Sequence, residues 1–201
     1  MPIYLNGLIL GLSLIMTLGP QNIFLIKQGA MRNHAIISAL TCFFCDIILI
    51  TASVIGLQDI LQSHDNLRSY MIWFGSLFLM YYGINALITA WKNQNNMAIE
   101  DKNRTSRMQN IMLALGFSIL NPHAIIDTFI LIGGGSGQFP GQEIPFLFGV
   151  LTSSFLWFTL LTFLAYYFSK ILTRAKVWRC VELGSGILLI ILSIKLALSQ
   201  F

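Results

Sequence analysis

Six apolar runs separated by short polar breaks set the pattern of this chain. They cover approximately residues 3–27, 36–57, 69–91, 110–132, 145–168 and 178–198. Crossing the hydrocarbon core of a bilayer as a helix takes about 20 such residues, so each run predicts one span. None alternates with a period of two over about ten residues, which excludes a transmembrane β-barrel. The predicted fold class is an all-α membrane protein with six transmembrane helices. The longest linker, 92–109, is polar and contains Asn93-Gln94-Asn95-Asn96 and Glu100-Asp101. It divides one transmembrane domain, 1–201, into a first half of about 3–91 and a second of about 110–198.

Two runs are interrupted in corresponding places. Leu18-Gly19-Pro20-Gln21-Asn22 breaks the first, and Leu120-Asn121-Pro122-His123-Ala124 breaks the fourth, with the prolines 102 residues apart. Proline removes a backbone donor and clashes with the preceding turn. Inside a bilayer the freed groups must find partners in protein or trapped water. A Gly-Pro or Asn-Pro followed by polar side chains therefore marks a polar spot within the membrane. The third and sixth runs also align, Phe74-Gly75-Ser76 against Leu183-Gly184-Ser185. Three spans per half put the halves in opposite orientations, which predicts an inverted 3+3 repeat, a ground plan of secondary transporters.

Composition agrees with this picture. The 201 residues are 56% hydrophobic and 10% charged, with mean hydropathy +0.74, whereas soluble domains carry about 25% charged residues. The isoelectric point near 9.1 reports orientation and not nucleic acid, because the cations lie in short loops. Lys27, Arg32, Lys92, Lys102, Arg104, Arg107, Lys170, Arg174, Lys176 and Arg179 fall on one side, against Arg68 and Lys195 on the other. The positive-inside bias assigns the larger set to the cytoplasm and both termini to the outside. The glycine-rich stretch Gly133–Gly137 is then an external, flexible loop. Met1 to Asn6 contain no Lys or Arg and no small-residue cleavage site follows the first run, which is therefore expected to stay as a span.

Two acids are expected to carry the chemistry. Asp46 sits near the middle of the second run and Asp127 follows Pro122 by five residues. An acid in a span costs about 2.5–3.5 kcal/mol even on a lenient scale, so it faces the bundle interior. Each either has a functional role or, kept protonated by burial, makes a structural hydrogen bond. Ser38, Cys42, Cys45, Asp46, Ser53 and Gly56 share one helical face, and small residues let helices approach. Phe43, Ile47, Ile50 and Val54 point toward lipid or other helices. No run holds a Lys or Arg near its centre, so the two carboxylates need protons or a cationic ligand. A guanidinium or ammonium substrate supplies that partner, arginine by paired hydrogen bonds.

Helices restarting at Pro20 and Pro122 offer unpaired N–H groups and a positive dipole end to an anion. Gly19 admits close backbone approach. Gln21, Asn22, Asn121 and His123 either repair the backbone around the prolines or bind ligand. Trp157, in mid-span away from the interfacial belts, either holds a cation over its ring or packs in the core. Gly75, Tyr82, Gly83, Gly184 and Gly186 read as helix-packing positions. Cys42-Phe-Phe-Cys45 has no second ligand pair and reads as small buried residues. His34 and His64 lie in loops and take no role. No HExxH, GxSxG or P-loop occurs, so neither an enzyme nor a metal or other cofactor is indicated.

At these residues the chain resembles the lysine exporter (LysE) family. The resemblance rests on Gly19-Pro20-Gln21-Asn22-Ile23-Phe24-Leu25-Ile26-Lys27-Gln28-Gly29 and Asn121-Pro122-His123-Ala124-Ile125-Ile126-Asp127-Thr128, with Ser154-Phe155-Leu156-Trp157-Phe158 in the fifth run. Within the family it is most similar to the arginine/lysine exporters. The resemblance implies efflux of L-arginine or L-lysine across a bacterial inner membrane, and importance for Asp46 and Asp127. The expected partners are the basic amino acid, protons as coupling ion and the lipid bilayer, with self-association left open. The alternative cargo is a neutral amino acid or another small solute of the same superfamily.

Overall fold

The structure, a computed structural model, describes residues 2–17, 19–55, 65–92, 105–120, 125 and 128–198. All regular structure among them is helical. The first run is two helices, α1 (Ile3–Ile15) and α2 (Pro20–Ala30), which meet at 77°. Gly19 between them is extended (φ −107°, ψ 174°), and Pro20 opens α2 at the position where its missing N–H costs nothing. There follow α3 (Ala35–Val54), α4 (Asp65–Lys92) and α5 (Arg107–Ile119). A π-helical segment, Thr128–Gly133, runs into one helical turn, Gly134–Ser136. Then come α6 (Glu143–Tyr167), a single turn Ser169–Leu172, and α7 (Ala175–Leu198).

Four helices are long and apolar enough to cross a membrane on their own: α3, residues 73–91 of α4, α6, and residues 175–195 of α7. The bent pair α1–α2 makes a fifth if taken as one broken span. The chain is therefore a multi-pass membrane protein. In the fourth run, α5 and the π-helical segment flank Asn121, Pro122, His123 and Asp127, which lie outside the described residues.

Local chemistry explains where these helices begin. Ser106 and Gln109 form a capping box: Gln109 N donates to Ser106 Oγ at 3.3 Å, and Ser106 N donates to Gln109 Oε1 at 2.9 Å. This satisfies two orphan donors and starts α5 three residues before the apolar run. The glycines at 133–137 do not form the expected flexible loop. They continue the helical path to Ser136, and a Cβ at Gly135 would sit 2.9 Å from Leu10 Cδ2 and 3.1 Å from Phe146. At Gly135 the missing side chain serves close packing.

Two small-residue crossings assemble the helices. In α1, Gly7 and Gly11 back onto the Phe146 carbonyl and Ser153 of α6, while Gly149 of α6 backs onto the Tyr4 carbonyl. Such spacing brings backbones together where lipid offers no hydrophobic drive. In α4 and α7, Gly83 and Gly186 face each other, each one's notional Cβ lying 3.0–3.1 Å from the other's carbonyl. Ser193 Oγ donates to the Ser76 carbonyl across the same pair at 2.8 Å. Gly184, expected to pack, instead has open space around it. The α4–α7 pair joins the rest through rings: Phe78 and Tyr82 lie against Phe117 of α5 at 4.9 and 5.1 Å, and Phe117 stacks on Phe24 of α2 at 5.2 Å.

On α3, Ile36, Leu40, Phe44, Ile48 and Ile55 form an exposed apolar stripe suited to hydrocarbon. Ser38, Cys42, Cys45 and Ser53 are buried on another face. Of the residues expected to point elsewhere, Ile50 and Val54 meet Ile132, Phe146 and Val150, and Phe43 meets Phe155 at 5.4 Å. Of the two expected surroundings, lipid or other helices, these three therefore meet other helices. Further pairings are α2 with α3, α5, α6 and α7, and α3 with α5, α6 and the π-helical segment.

Candidate functional site

The inward face of α3 brings Asp46 among α2, α5 and α6. Ser154 Oγ of α6 donates to Asp46 Oδ2 at 2.6 Å. Gln21, in the first turn of α2, turns its amide toward both Asp46 and Cys42, and Ser118 of α5 lies beside Cys42 and Cys45. Neither contact completes a hydrogen bond of good geometry, so Gln21 Nε2 and Ser118 Oγ are buried without a partner. Buried polar atoms are nearly always paired. An unspent amide beside the carboxylate, with an unspent hydroxyl beside the neighbouring cysteines, is what a site for a polar ligand would leave when empty of protein partners.

Electrostatically the site is one-sided. Among the described residues no Lys or Arg pairs with Asp46, and the ion pair they contain, Lys27–Glu182, belongs to another level of the molecule. A carboxylate in such surroundings is costly unless it is protonated or meets a cation.

Asn22 has a different role. Its Nδ2 donates to the carbonyls of Ile15 at 2.8 Å and Thr17 at 2.6 Å, which the end of α1 leaves open. Its Oδ1 accepts from Trp157 Nε1 at 3.2 Å. The residue thus repairs the break, and Trp157 holds the repair in place while packing against the core of Phe24, Cys42 and Phe158. Asn22→Ala should lower stability by about 1–3 kcal/mol for each buried group it orphans, and Trp157→Phe by about that amount once. Unfolding in detergent measures both; equal, negligible shifts would remove Asn22 from the scaffold.

Ser53 Oγ donates to the Thr128 carbonyl at 2.9 Å, tying α3 to the π-helical segment that follows Asp127. Single π turns often occur at functional sites. Asp127, Asn121 and His123 themselves are not among the described residues.

One buried acid escaped the sequence reading. Glu182 lies within the sixth run, where its nearness to Arg179 disguised it as part of a basic end. Lys27 Nζ of α2 meets its Oε2 at 2.7 Å. The available signal was an acid inside an apolar run, the same signal that singled out Asp46.

Broken helix, interior carboxylate and unspent donors fit a membrane-embedded translocator of a small polar solute. The chain belongs to the LysE type translocator family, whose profile matches residues 12–200. It is 34% identical over 195 residues to the arginine exporter protein ArgO of Salmonella schwarzengrund, covering 96% of this chain and 92% of that one. The arginine exporter protein ArgO of Yersinia enterocolitica is 35% identical over 196 residues, with 97% and 96% covered. That of Pectobacterium carotovorum is 33% identical over 196 residues, again covering 97% and 96%. No solved structure matches.

Proposed function

We propose that this protein exports L-arginine, L-lysine or both across the bacterial inner membrane in exchange for protons. The observation that carries the reading is Asp46: an interior carboxylate with no protein cation beside it among the described residues. A basic amino acid supplies the cation, and the similarity to arginine exporters supports that cargo. The unspent Gln21 amide, at the uncapped start of α2, suits the cargo's α-carboxylate. Asp127, Asn121 and His123 form the matching half of the site at the second break.

Energetics favour coupling. Expelling a cation against an inside-negative potential costs about 2.3 kcal/mol per 100 mV. At roughly 150 mV this is ~3.5 kcal/mol, a few hundred-fold in concentration, so an uncoupled carrier would import. Asp46 alternating between a proton and the cargo cation converts the step into antiport. One proton per cation is electroneutral.

The two halves, about 3–91 and 110–198, act as an inverted repeat rocking around this site. Supporting this, α1 and α2 both pair with α6 as α5 and the π-helical segment both pair with α3, while α4 pairs with α7 and α3 with α6. The basic end carrying Lys27, Arg32 and Lys170 to Arg179 faces the cytoplasm, with both termini outside.

Counterflow of labelled arginine, lysine and leucine in proteoliposomes tests this. Arginine or lysine should exchange, and an imposed pH gradient should drive their accumulation. Exchange of leucine with neither basic amino acid would transfer the site to neutral cargo.

A further inference from the structure

We propose that Glu182 is a second cation site on the cargo's route, occupied in the resting protein by the Lys27 ammonium, which the side-chain cation of an incoming basic amino acid displaces. The proposal rests on the cargo being a basic amino acid, as argued above.

The geometry begins with depth. Glu182 stands seven residues into α7, about 10 Å from its start. Its side chain is 8% exposed, and that of Lys27 is 19% exposed. The acid is therefore largely taken out of solvent, where an unpaired carboxylate is strongly unfavourable. Its cation need not be Lys27, only an ammonium or guanidinium within reach. Lys27 retains enough exposure for a competitor to approach from the basic end.

The pair is also held lightly. Lys27 Nζ has three donors, and among the described residues Glu182 is its one hydrogen-bonded partner. The Glu182 carboxylate likewise meets no other donor among them. The contact is the one polar link between α2 and α7 among the described residues. Neighbouring ties at the same end are of another kind. Arg32 Nε donates to Ser169 Oγ at 2.9 Å, with its guanidinium 4.4 Å over the Tyr166 ring. Asn33 Nδ2 donates to Thr105 Oγ1 at 2.9 Å, and the fully buried Asn110 donates to the Asn33 carbonyl at 3.0 Å. Those ties are multiple and uncharged on one side, so a cationic cargo has nothing to gain by breaking them. At Glu182 it exchanges one cation for another.

The position suits a step on the way to Asp46. Lys27 is six residues beyond Gln21 along α2, about 9 Å of helix rise, and Gln21 faces Asp46. Six residues also turn the helix so that the two positions lie about 120° apart around its axis, which sets Glu182 further along the restarted half of the broken span than Asp46 and round its side. Displacing Lys27 removes the polar tie between α2 and the α4–α7 pair, which otherwise meets the rest through apolar contacts of Phe78, Leu79, Tyr82 and Leu189. Occupancy of Glu182 by cargo is thereby tied to release of the broken helix.

The test is initial arginine transport in vesicles of both orientations, so that cargo meets the basic end or the opposite end. Lys27→Gln removes the internal competitor and should lower KM from the basic end about fivefold, the scale of a partly exposed ion pair. Glu182→Gln should raise that KM by about the same factor. Lys27→Arg keeps the pair but can hold the carboxylate through two hydrogen bonds, and should raise KM as well. KM from the opposite end should move less than about twofold in all three. A mere staple between α2 and α7 would instead lower Vmax and thermal stability and leave KM unchanged. Unchanged KM in every variant that reaches the membrane would overturn the proposal. If Lys27→Gln does not insert, Lys27→Arg decides alone. Wild-type protein that moves leucine but no basic amino acid would overturn the cargo assignment, and this proposal with it. Active wild type with flat KM values would sink this proposal only.

Discussion

Asp46→Asn is expected to abolish exchange of basic amino acids while the protein still reaches the membrane in normal amount. Asparagine has the same shape, and its side-chain oxygen still accepts the hydrogen bond that Ser154 Oγ gives to Asp46. The scaffold therefore stands. What disappears is the charge that the cargo cation would pair with and the group that would carry the proton. A charge-assisted contact in a low-dielectric site is worth about 3 kcal/mol, roughly a hundredfold in rate or affinity. Loss of the proton carrier removes coupling on top of that. Arginine counterflow normalised to membrane-inserted protein is the measurement. Transport within about twofold of wild type would take Asp46 out of the mechanism. Ser154→Ala is a milder companion, since it removes one donor and leaves the charge.

The second large effect concerns assembly. Gly149→Ala should prevent α1 from docking on α6. An added Cβ there runs into the Tyr4 carbonyl and comes within 2.8 Å of the Leu8 amide nitrogen. Both obstacles are backbone, so no side-chain rotation relieves them, and α1 must shift bodily. Overpacking of this kind costs about 1–3 kcal/mol and more when backbone must move. The consequence reaches the site, because α1 ends in the carbonyls that Asn22 ties down. Gly184→Ala is the matched control: nothing lies within 4 Å of its notional Cβ, and helix propensity alone would make it neutral or slightly stabilising. Melting temperature and monodispersity in detergent should separate the two variants. Equal behaviour would mean that the α1–α6 crossing is looser than drawn.

The reach of sequence reasoning can be traced residue by residue. Helical spacing placed Ser38, Cys42, Cys45 and Asp46 on one inward face, because a span's apolar side must meet lipid and its polar side cannot. It left open whether the neighbouring stripe meets lipid or other helices, since Ile36, Leu40, Phe44 and Ile48 are as apolar as Ile50 and Val54. Only the position of α6 distinguishes them. Pro20 announced the break from its own covalent structure. Whether Asn22 would repair that break or bind cargo was not legible. The answer lies in the carbonyls of Ile15 and Thr17 and in Trp157 of α6, 135 residues away. Gly133–Gly137 read as a loop because glycine serves both mobility and close approach, and sequence does not say which.

What the chain determined by itself was the number and length of its apolar runs, the helical break at Gly19-Pro20, and the polar face that carries Asp46. These follow from local rules: backbone groups must be satisfied within the helix, proline cannot comply, and acids avoid hydrocarbon. What the tertiary structure alone decided was which unspent groups meet. It set Gln21 beside Asp46 and Ser118 beside Cys42 and Cys45, joined Lys27 to Glu182 across 155 residues, and chose Gly186 over Gly184 as the packing glycine. Such pairings depend on how helices cross, and crossing geometry is a sum over many weak contacts that no single stretch of sequence contains.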